Sequence, residues 1–221
     1  MSNIAIVDYK MGNLFSVKRA CEYVGLCATI TSEKAVILDA DAVILPGVGA
    51  FGDAMAALQQ LELVKLLLDV ISSNKPFFGI CLGMQLLMTE SYEFGQHSGL
   101  GVFKGTVKRF TQPMEASGRI LKVPQVGWNA IYSSKNGDNN GRYNGPMLEG
   151  IRDGENMYFV HSFYVIPEDK TLITSFSRYG ETKFCSSIAR HNVFACQFHP
   201  ERSGLRGLDI YRNFALKIMS Q

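Results

Sequence analysis

The chain has 221 residues, 47% of them hydrophobic, and its 22 Lys and Arg against 20 Asp and Glu leave a formal charge of only +2. That is enough chain for one domain with a full core, spanning residues 1–221, and the near-neutral balance, with no Lys/Arg run longer than two residues, excludes a nucleic-acid surface as its main business. Five cysteines, an odd number with no C-x-x-C pair, argue against a disulfide framework and a structural zinc site.

Taken in chain order, "NIAIVDY" is an apolar run suited to a buried parallel strand. Residues 14–24 carry Leu14, Val17, Cys21 and Val24 on one helical face. "CATITS" and "DAVILPG" read as the second and third strands. Leu58, Leu61, Val64, Leu68 and Ile71 then mark one long amphipathic helix. "PFFGICL" is a fourth strand, and "GMQLLMTE" continues it as helix. Strand and helix alternate at a spacing that predicts a parallel sheet covered on both faces. The second half changes character: "GVFKGTVKRF", "KVPQVGWNAIY", "MYFVHSFYVI", "TLITSFSRY", "KFCSSIA" and "VFACQFHP" are strand-like, with Gly, Asn and Asp turns between them. "SSKNGDNNGRYNG" reads as an exposed loop, and 203–219 as a closing helix. No apolar stretch is long enough to span a bilayer, and "MSNIAIVDYK" has no basic, cleavable leader, so reduced thiols in a cytoplasmic chain are expected.

The stretch that asks for chemistry is "GICLG". It has the G-x-nucleophile-x-G pattern at a strand-to-helix turn, where the glycines are needed because a Cβ would collide with neighbouring backbone. The turn presents the Cys81 thiol at the carboxyl edge of the sheet, and the dipole of the helix that follows favours a thiolate. A free cysteine is most often a small buried hydrophobe, but that role does not explain glycine on both sides. A thiolate nucleophile also needs a base and an orienting acid. Of the four histidines, His97 and His191 lie in polar, turn-like surroundings and read as solvated, and His161 alternates within a strand. His199 ends the apolar strand "VFACQF", is stopped by Pro200, and has Glu201 two residues on, which fits a base with its orienter. Leu82 offers a backbone N–H for an oxyanion hole, and "LPGVGAFG", on the same sheet edge, offers another. That segment lacks the Lys-Ser/Thr of a phosphate loop and the G-x-G-x-x-G spacing.

"GICLGMQLL", "LPGVGAFGD" and "CQFHPERSG" together resemble the class I (triad) glutamine amidotransferases, and "IVDYKMGNLFSV", "KVPQVGWN" and "FVHSFYV" narrow the resemblance to the glutaminase subunits of imidazole glycerol phosphate synthase. The resemblance implies an α/β, flavodoxin-like fold: a mostly parallel central sheet flanked by helices, plus a smaller, mostly antiparallel sheet. It implies Cys81 as nucleophile, His199 as base and Glu201 as orienting acid, with Val48 and Leu82 as oxyanion donors. Gly49, Gln85, Glu93 and the Ser162 backbone would hold L-glutamine. Asn13, Trp128 and Arg202 would lie near the partner, a separate (β/α)8-barrel cyclase subunit that receives the ammonia. No cofactor, metal, nucleic acid or membrane is implied. Lys10, Gln125 and Phe163 depart from the family's usual glycine, histidine and tyrosine. They keep open a paralogous amidotransferase that serves a sugar-modifying enzyme of surface-polysaccharide synthesis. A thiol peptidase of the same elbow architecture is the further alternative.

Overall fold

In the computed structural model, residues 2–134, 143 and 145–220 are described. The elements run β1 (Asn3–Val7), α1 (Leu14–Tyr23), β2 (Cys27–Thr31), α2 (Lys34–Asp39), β3 (Ala42–Gly47), α3 (Phe51–Gln60), α4 (Leu63–Ser72), β4 (Phe77–Cys81), α5 (Leu82–Leu86), β5 (Met88–Ser91), β6 (His97–Ser98), β7 (Phe103–Arg109), β8 (Gln125–Ser133), β9 (Glu155–His161), β10 (Phe163–Pro167), β11 (Ile173–Tyr179), β12 (Thr182–Arg190), β13 (Val193–Cys196) and α6 (Gly204–Met219).

A nine-stranded sheet in the order β2-β1-β3-β4-β13-β12-β11-β8-β9 organises the molecule. The pairs from β2 through β13 are parallel, and those from β13 to β9 antiparallel. The apolar runs at β3 and β4 are buried at every position, as strands covered on both faces must be. Alternate side chains enter two cores. Val7, Val43, Leu45 and Phe77 pack with Leu58 and Leu67 of α3 and α4. Ile6, Ile44, Phe78 and Ile80 pack on the other face with Val17 of α1 and Phe214 of α6. A second sheet, β10-β7-β5-β6, lies apart from the first, with β5 and β7 parallel and its other pairs antiparallel.

Four sequence expectations change. The long helix over 58–71 is two helices, broken where Glu62 takes a left-handed φ of 52°. The buried face of α4 is Leu63, Leu66, Leu67 and Val70, while Leu61, Val64, Leu68 and Ile71 are only partly buried. The break resets the helical phase, so one periodicity fitted across both picked the neighbouring stripe. "GMQLLMTE" is not one helix: α5 lasts five residues, and Met88 onward pairs as β5 with β7. "MYFVHSFYVI" splits at Ser162, so that β9 joins the large sheet and β10 the small one. The antiparallel strands of the second half mostly extend the large sheet, which is therefore mixed rather than mostly parallel. The closing helix is present as α6, and the exposed loop read in "SSKNGDNNGRYNG" falls largely on residues 135–142 and 144, outside the described residues. No helix among the described residues is long and apolar enough to cross a membrane.

Candidate active site

Cys81 is the last residue of β4 and the residue before α5, with φ 54° and ψ −106°. A non-glycine residue persists at such angles only where its surroundings impose them, at a cost of roughly 1–3 kcal/mol. Those surroundings are the two glycines. A Cβ on Gly83 would stand 1.8 Å from the Leu45 carbonyl oxygen, and one on Gly79 would stand 3.0 Å from the Ala195 Cβ and 3.1 Å from Gly83 backbone. The expected collision is therefore present, and it is with backbone. Because α5 is a single short turn, its dipole adds little at the sulfur.

His199 follows β13, which lies parallel beside β4 with Cys196 opposite Ile80. Four bonds hold it: its N–H donates to the Tyr158 carbonyl (2.8 Å), its carbonyl accepts from Ser203 Oγ (2.7 Å) and from the Arg202 N–H (3.0 Å), and Nδ1 meets Glu201 Oε1 at 2.7 Å. The His199 and Glu201 side chains are 5% and 1% exposed. Burial opposes charge on the imidazole, but the negative sulfur of Cys81 and the Glu201 carboxylate outweigh it and hold the pKa up at about 11. His199 Nε2 is buried with no hydrogen-bond partner among the described residues, so it is the ring atom left for the sulfur side. The thiols of Cys21, Cys185 and Cys196 are pushed up by burial, that of Cys21 to about 12, so they stay protonated and inert.

Cys81 opens onto a cleft of about 250 Å³ whose walls include Val48, Gly49, Leu82, Gln85, Glu93 and Ser162. Gly47 pairs with Cys81 across β3 and β4, so Val48 and Leu82 each lie one residue past the same register point. Leu82 is the first residue of α5, and its N–H has no acceptor within that helix. Gly47 is glycine for space, since a Cβ would sit 2.1 Å from the Tyr9 hydroxyl, which donates to the Pro46 carbonyl. Gly49 is glycine for conformation, with φ 113°. Glu93 is buried; one carboxylate oxygen accepts from the Phe51 N–H at the start of α3 (2.7 Å), and burial raises its carboxyl above the usual range. Gln85 Nε2 donates to the Phe163 carbonyl (3.0 Å) and to Gln197 Oε1 (3.1 Å), leaving its own oxygen as the group free for a ligand donor. His161 forms part of the wall; its Nδ1–H donates to the Phe163 carbonyl at 2.8 Å.

Asn13, Trp128 and Arg202 are all exposed and lie outside the cleft walls. Asn13 caps α1 by accepting from the Ser16 N–H. Trp128 packs edge-on against Tyr158 at 6.1 Å, and the Arg202 guanidinium lies over the same ring at 4.7 Å. Val126, two residues from Trp128 on β8, is 61% exposed, which makes this an apolar, cationic surface suited to a protein partner. Lys10 has φ 70°, the conformation in which glycine is at ease, and its N–H is held by Asp8. Gln125 is buried opposite His161, and Phe163 acts on the site through its carbonyl, which any residue supplies. Sequence reasoning missed Tyr9, Gln197 and Ser203. The signals available were a lone glutamine inside the apolar run "VFACQF" and a serine directly before the glycine that opens α6.

A family model for glutamine amidotransferase class-I matches residues 5–218. The chain is 47% identical over 211 residues to "Imidazole glycerol phosphate synthase subunit HisH" of Syntrophotalea carbinolica, covering 96% of this chain and 98% of that one. It is 45% identical over 214 residues to the protein of the same name from Geobacter sulfurreducens, covering 97% and 98%. Among solved structures, "Structure of PurLQS from Thermotoga maritima" superposes with a TM-score of 0.69 at 20% identity, covering 100% of this chain and 99% of that chain. "Crystal structure of glutamine amidotransferase" does so at 0.69 and 18%, covering 98% and 99%. At those identities the structures speak for the fold alone.

Proposed function

The chain belongs to the class-I glutamine amidotransferases, and from that premise we propose that it is the glutaminase subunit of an imidazole glycerol phosphate synthase, in histidine biosynthesis. It hydrolyses L-glutamine to glutamate and hands the ammonia to a cyclase partner. The observation that carries the reading is the Cys81 elbow with the His199–Glu201 pair behind it.

In the proposed reaction the glutamine amide lies in the cleft with its carbonyl carbon at Cys81 Sγ. The α-ammonium group meets the Glu93 carboxylate and the free oxygen of Gln85. The thiolate adds to the carbonyl carbon. The resulting oxyanion is held by the Leu82 and Val48 N–H groups, each such donor being worth roughly 10²–10³ in rate. His199 Nε2–H protonates the amine as the C–N bond breaks, so ammonia leaves and a glutamyl thioester remains. A water then gives its proton to Nε2 and its oxygen to the thioester carbon. The thiolate departs, and glutamate is released. Glu201 keeps the ring oriented and stabilises it while charged, without taking the proton itself.

The partner is a separate chain, a (β/α)8-barrel cyclase, seated on the surface that carries Asn13, Trp128 and Arg202, and the pair works in the cytoplasm. All five cysteines being free agrees with a reducing compartment. The test is glutamine hydrolysis by the chain alone and with that barrel subunit, alongside labelling by 6-diazo-5-oxo-norleucine. Label on Cys81 and ammonia production that rises with the partner are expected. Label on Cys185 or Cys196, or turnover of peptides in place of glutamine, would overturn the reading.

A further inference from the structure

Gln197 is fully buried, lies on the turn between β13 and His199, and has no part in the reaction as written above. It stands one residue beyond the Cys196–Ile80 pair, so the parallel register brings it level with Cys81 on the neighbouring strand. Its backbone N–H donates to the Ser186 carbonyl at 2.9 Å, which fixes the main chain there. Its side-chain Nε2 lies 3.6 Å from Cys81 Sγ, within hydrogen-bond range for sulfur.

The direction of that contact follows from its neighbours. An amide has a donor end and an acceptor end, and only the surrounding network says which is which. Phe163 settles it, because a backbone carbonyl only accepts. Gln85 must therefore turn its NH2 toward the Phe163 oxygen, and the second hydrogen of that NH2 points at Gln197. Gln197 must then face Gln85 with its oxygen, which leaves its NH2 to face the sulfur. A single carbonyl thus orders two buried amides in series, and the series ends on the nucleophile.

We propose that Gln197 is a catalytic residue of this enzyme: its side-chain N–H donates to the Cys81 sulfur, stabilising the thiolate before attack and again as it leaves the thioester. The proposal rests on Cys81 being the nucleophile. The sulfur has one neutral buried donor in hydrogen-bond range, Gln197, and a charged group on its other side, the His199 imidazolium, whose Nε2 is the ring atom left for it. Only the neutral one keeps its hydrogen when His199 surrenders its proton to ammonia. When the thioester expels the sulfur, Nε2 again carries a proton, the one taken from water, and Gln197 stands beside it as a second donor whose hydrogen is never transferred. Gln85 links the same network to the substrate: the residue that offers its oxygen to the α-ammonium group also orients the amide that holds the sulfur.

The test uses the full chain with Gln197→Met, which keeps the length but has no donor, and Gln197→Glu, which keeps an acceptor for Gln85 but places a carboxylate at the sulfur. Alkylation by iodoacetamide, which needs a thiolate but no glutamine site, is followed against pH and its adduct mapped by peptide mass spectrometry. Loss of a hydrogen bond to a charged group predicts alkylation at Cys81 slower by roughly 10- to 100-fold near neutral pH in Gln197→Met, and slower still in Gln197→Glu. The rate–pH profile should move to higher pH in both. In steady-state glutamine hydrolysis kcat should fall by a similar factor while KM stays within about threefold, since the contact is to the reacting atom rather than to the substrate. If either folded variant, judged by its thermal melt, alkylates at the wild-type rate with an unshifted profile, the proposal falls. Should Cys81→Ala still hydrolyse glutamine, it is the nucleophile reading that falls, and that result is independent of Gln197.

Discussion

Acid should unfold this protein through His161, and the size of the effect follows from where the ring sits. The imidazole packs at 5.2–5.6 Å centroid distance from Phe110, Phe159 and Phe184. Its Nδ1–H is spent on the Phe163 carbonyl, and Nε2 is buried without a partner among the described residues. A second proton would have to enter at Nε2, in an aromatic pocket beside the already cationic His199. Burial, and then the His199 charge, depress the pKa from 6.5 to about 4. The sign is fixed by which state binds the proton more tightly. Below about pH 6.5 the unfolded chain takes up a proton that the folded chain refuses, so stability is whole above that pH and is lost as pH falls toward 4. For these two pKa values the loss is about 2 kcal/mol at pH 5 and approaches about 3 kcal/mol at pH 4. Every other titrating group contributes too, so the experiment is a difference. Urea unfolding of the wild type and of His161→Asn, whose amide can still donate to the Phe163 carbonyl, is compared at about pH 7.5 and pH 5. The wild type should lose about 2 kcal/mol more than the variant over that interval. Equal losses, or a His161 resonance titrating near the ordinary histidine value, would refute the reasoning.

Cys81→Ala should abolish glutamine hydrolysis without altering the melt, and His199→Ala should cost on the order of 10³-fold or more, with Glu201→Gln costing less because it orients the base rather than moving the proton; equal losses for His161→Asn and His199→Ala in a kinetic assay would mean the wrong base. Gly47→Ala should destabilise the chain, because its Cβ has no room beside the Tyr9 hydroxyl, and Tyr9→Phe in the same chain should restore part of the lost melting temperature by removing that oxygen. Additive losses in the double variant would show that the clash lies elsewhere. The isolated chain should be a poor glutaminase that improves when the proposed barrel partner and a nucleotide ligand of that partner are bound. The glycines on both sides of Val48 let the peptide before it turn its N–H toward or away from the oxyanion, a change worth roughly 10²–10³ in rate; equal kcat/KM with and without the liganded partner would end that idea.

Much of the site was legible in one dimension because its demands on the chain are local. A nucleophile held at positive φ between a strand and a helix needs small neighbours, and "GICLG" states that need outright. A histidine stopped by Pro200 with a carboxylate two residues on is likewise a local arrangement, and the 2.7 Å contact between His199 and Glu201 follows from it. The buried parallel strands were equally plain, because a strand covered on both faces reads as an unbroken apolar run. Periodicity alone did not survive the break at Glu62, since the phase of one helix carries nothing about the next. Nor could it show that 88–91 pairs with β7 rather than continuing α5, because a four-residue strand owes its existence to its partner.

What only the tertiary structure decided is the set of contacts between residues far apart in sequence. Tyr9 reaches Pro46 and fills the space that makes Gly47 a glycine. Gln197 reaches Cys81 across 116 positions, through a register that neither "VFACQF" nor "GICLG" encodes by itself. A side-chain amide has no preferred partner until the fold supplies one, so its role is invisible in sequence. A backbone that must turn sharply is different: it constrains the residues on either side wherever it occurs.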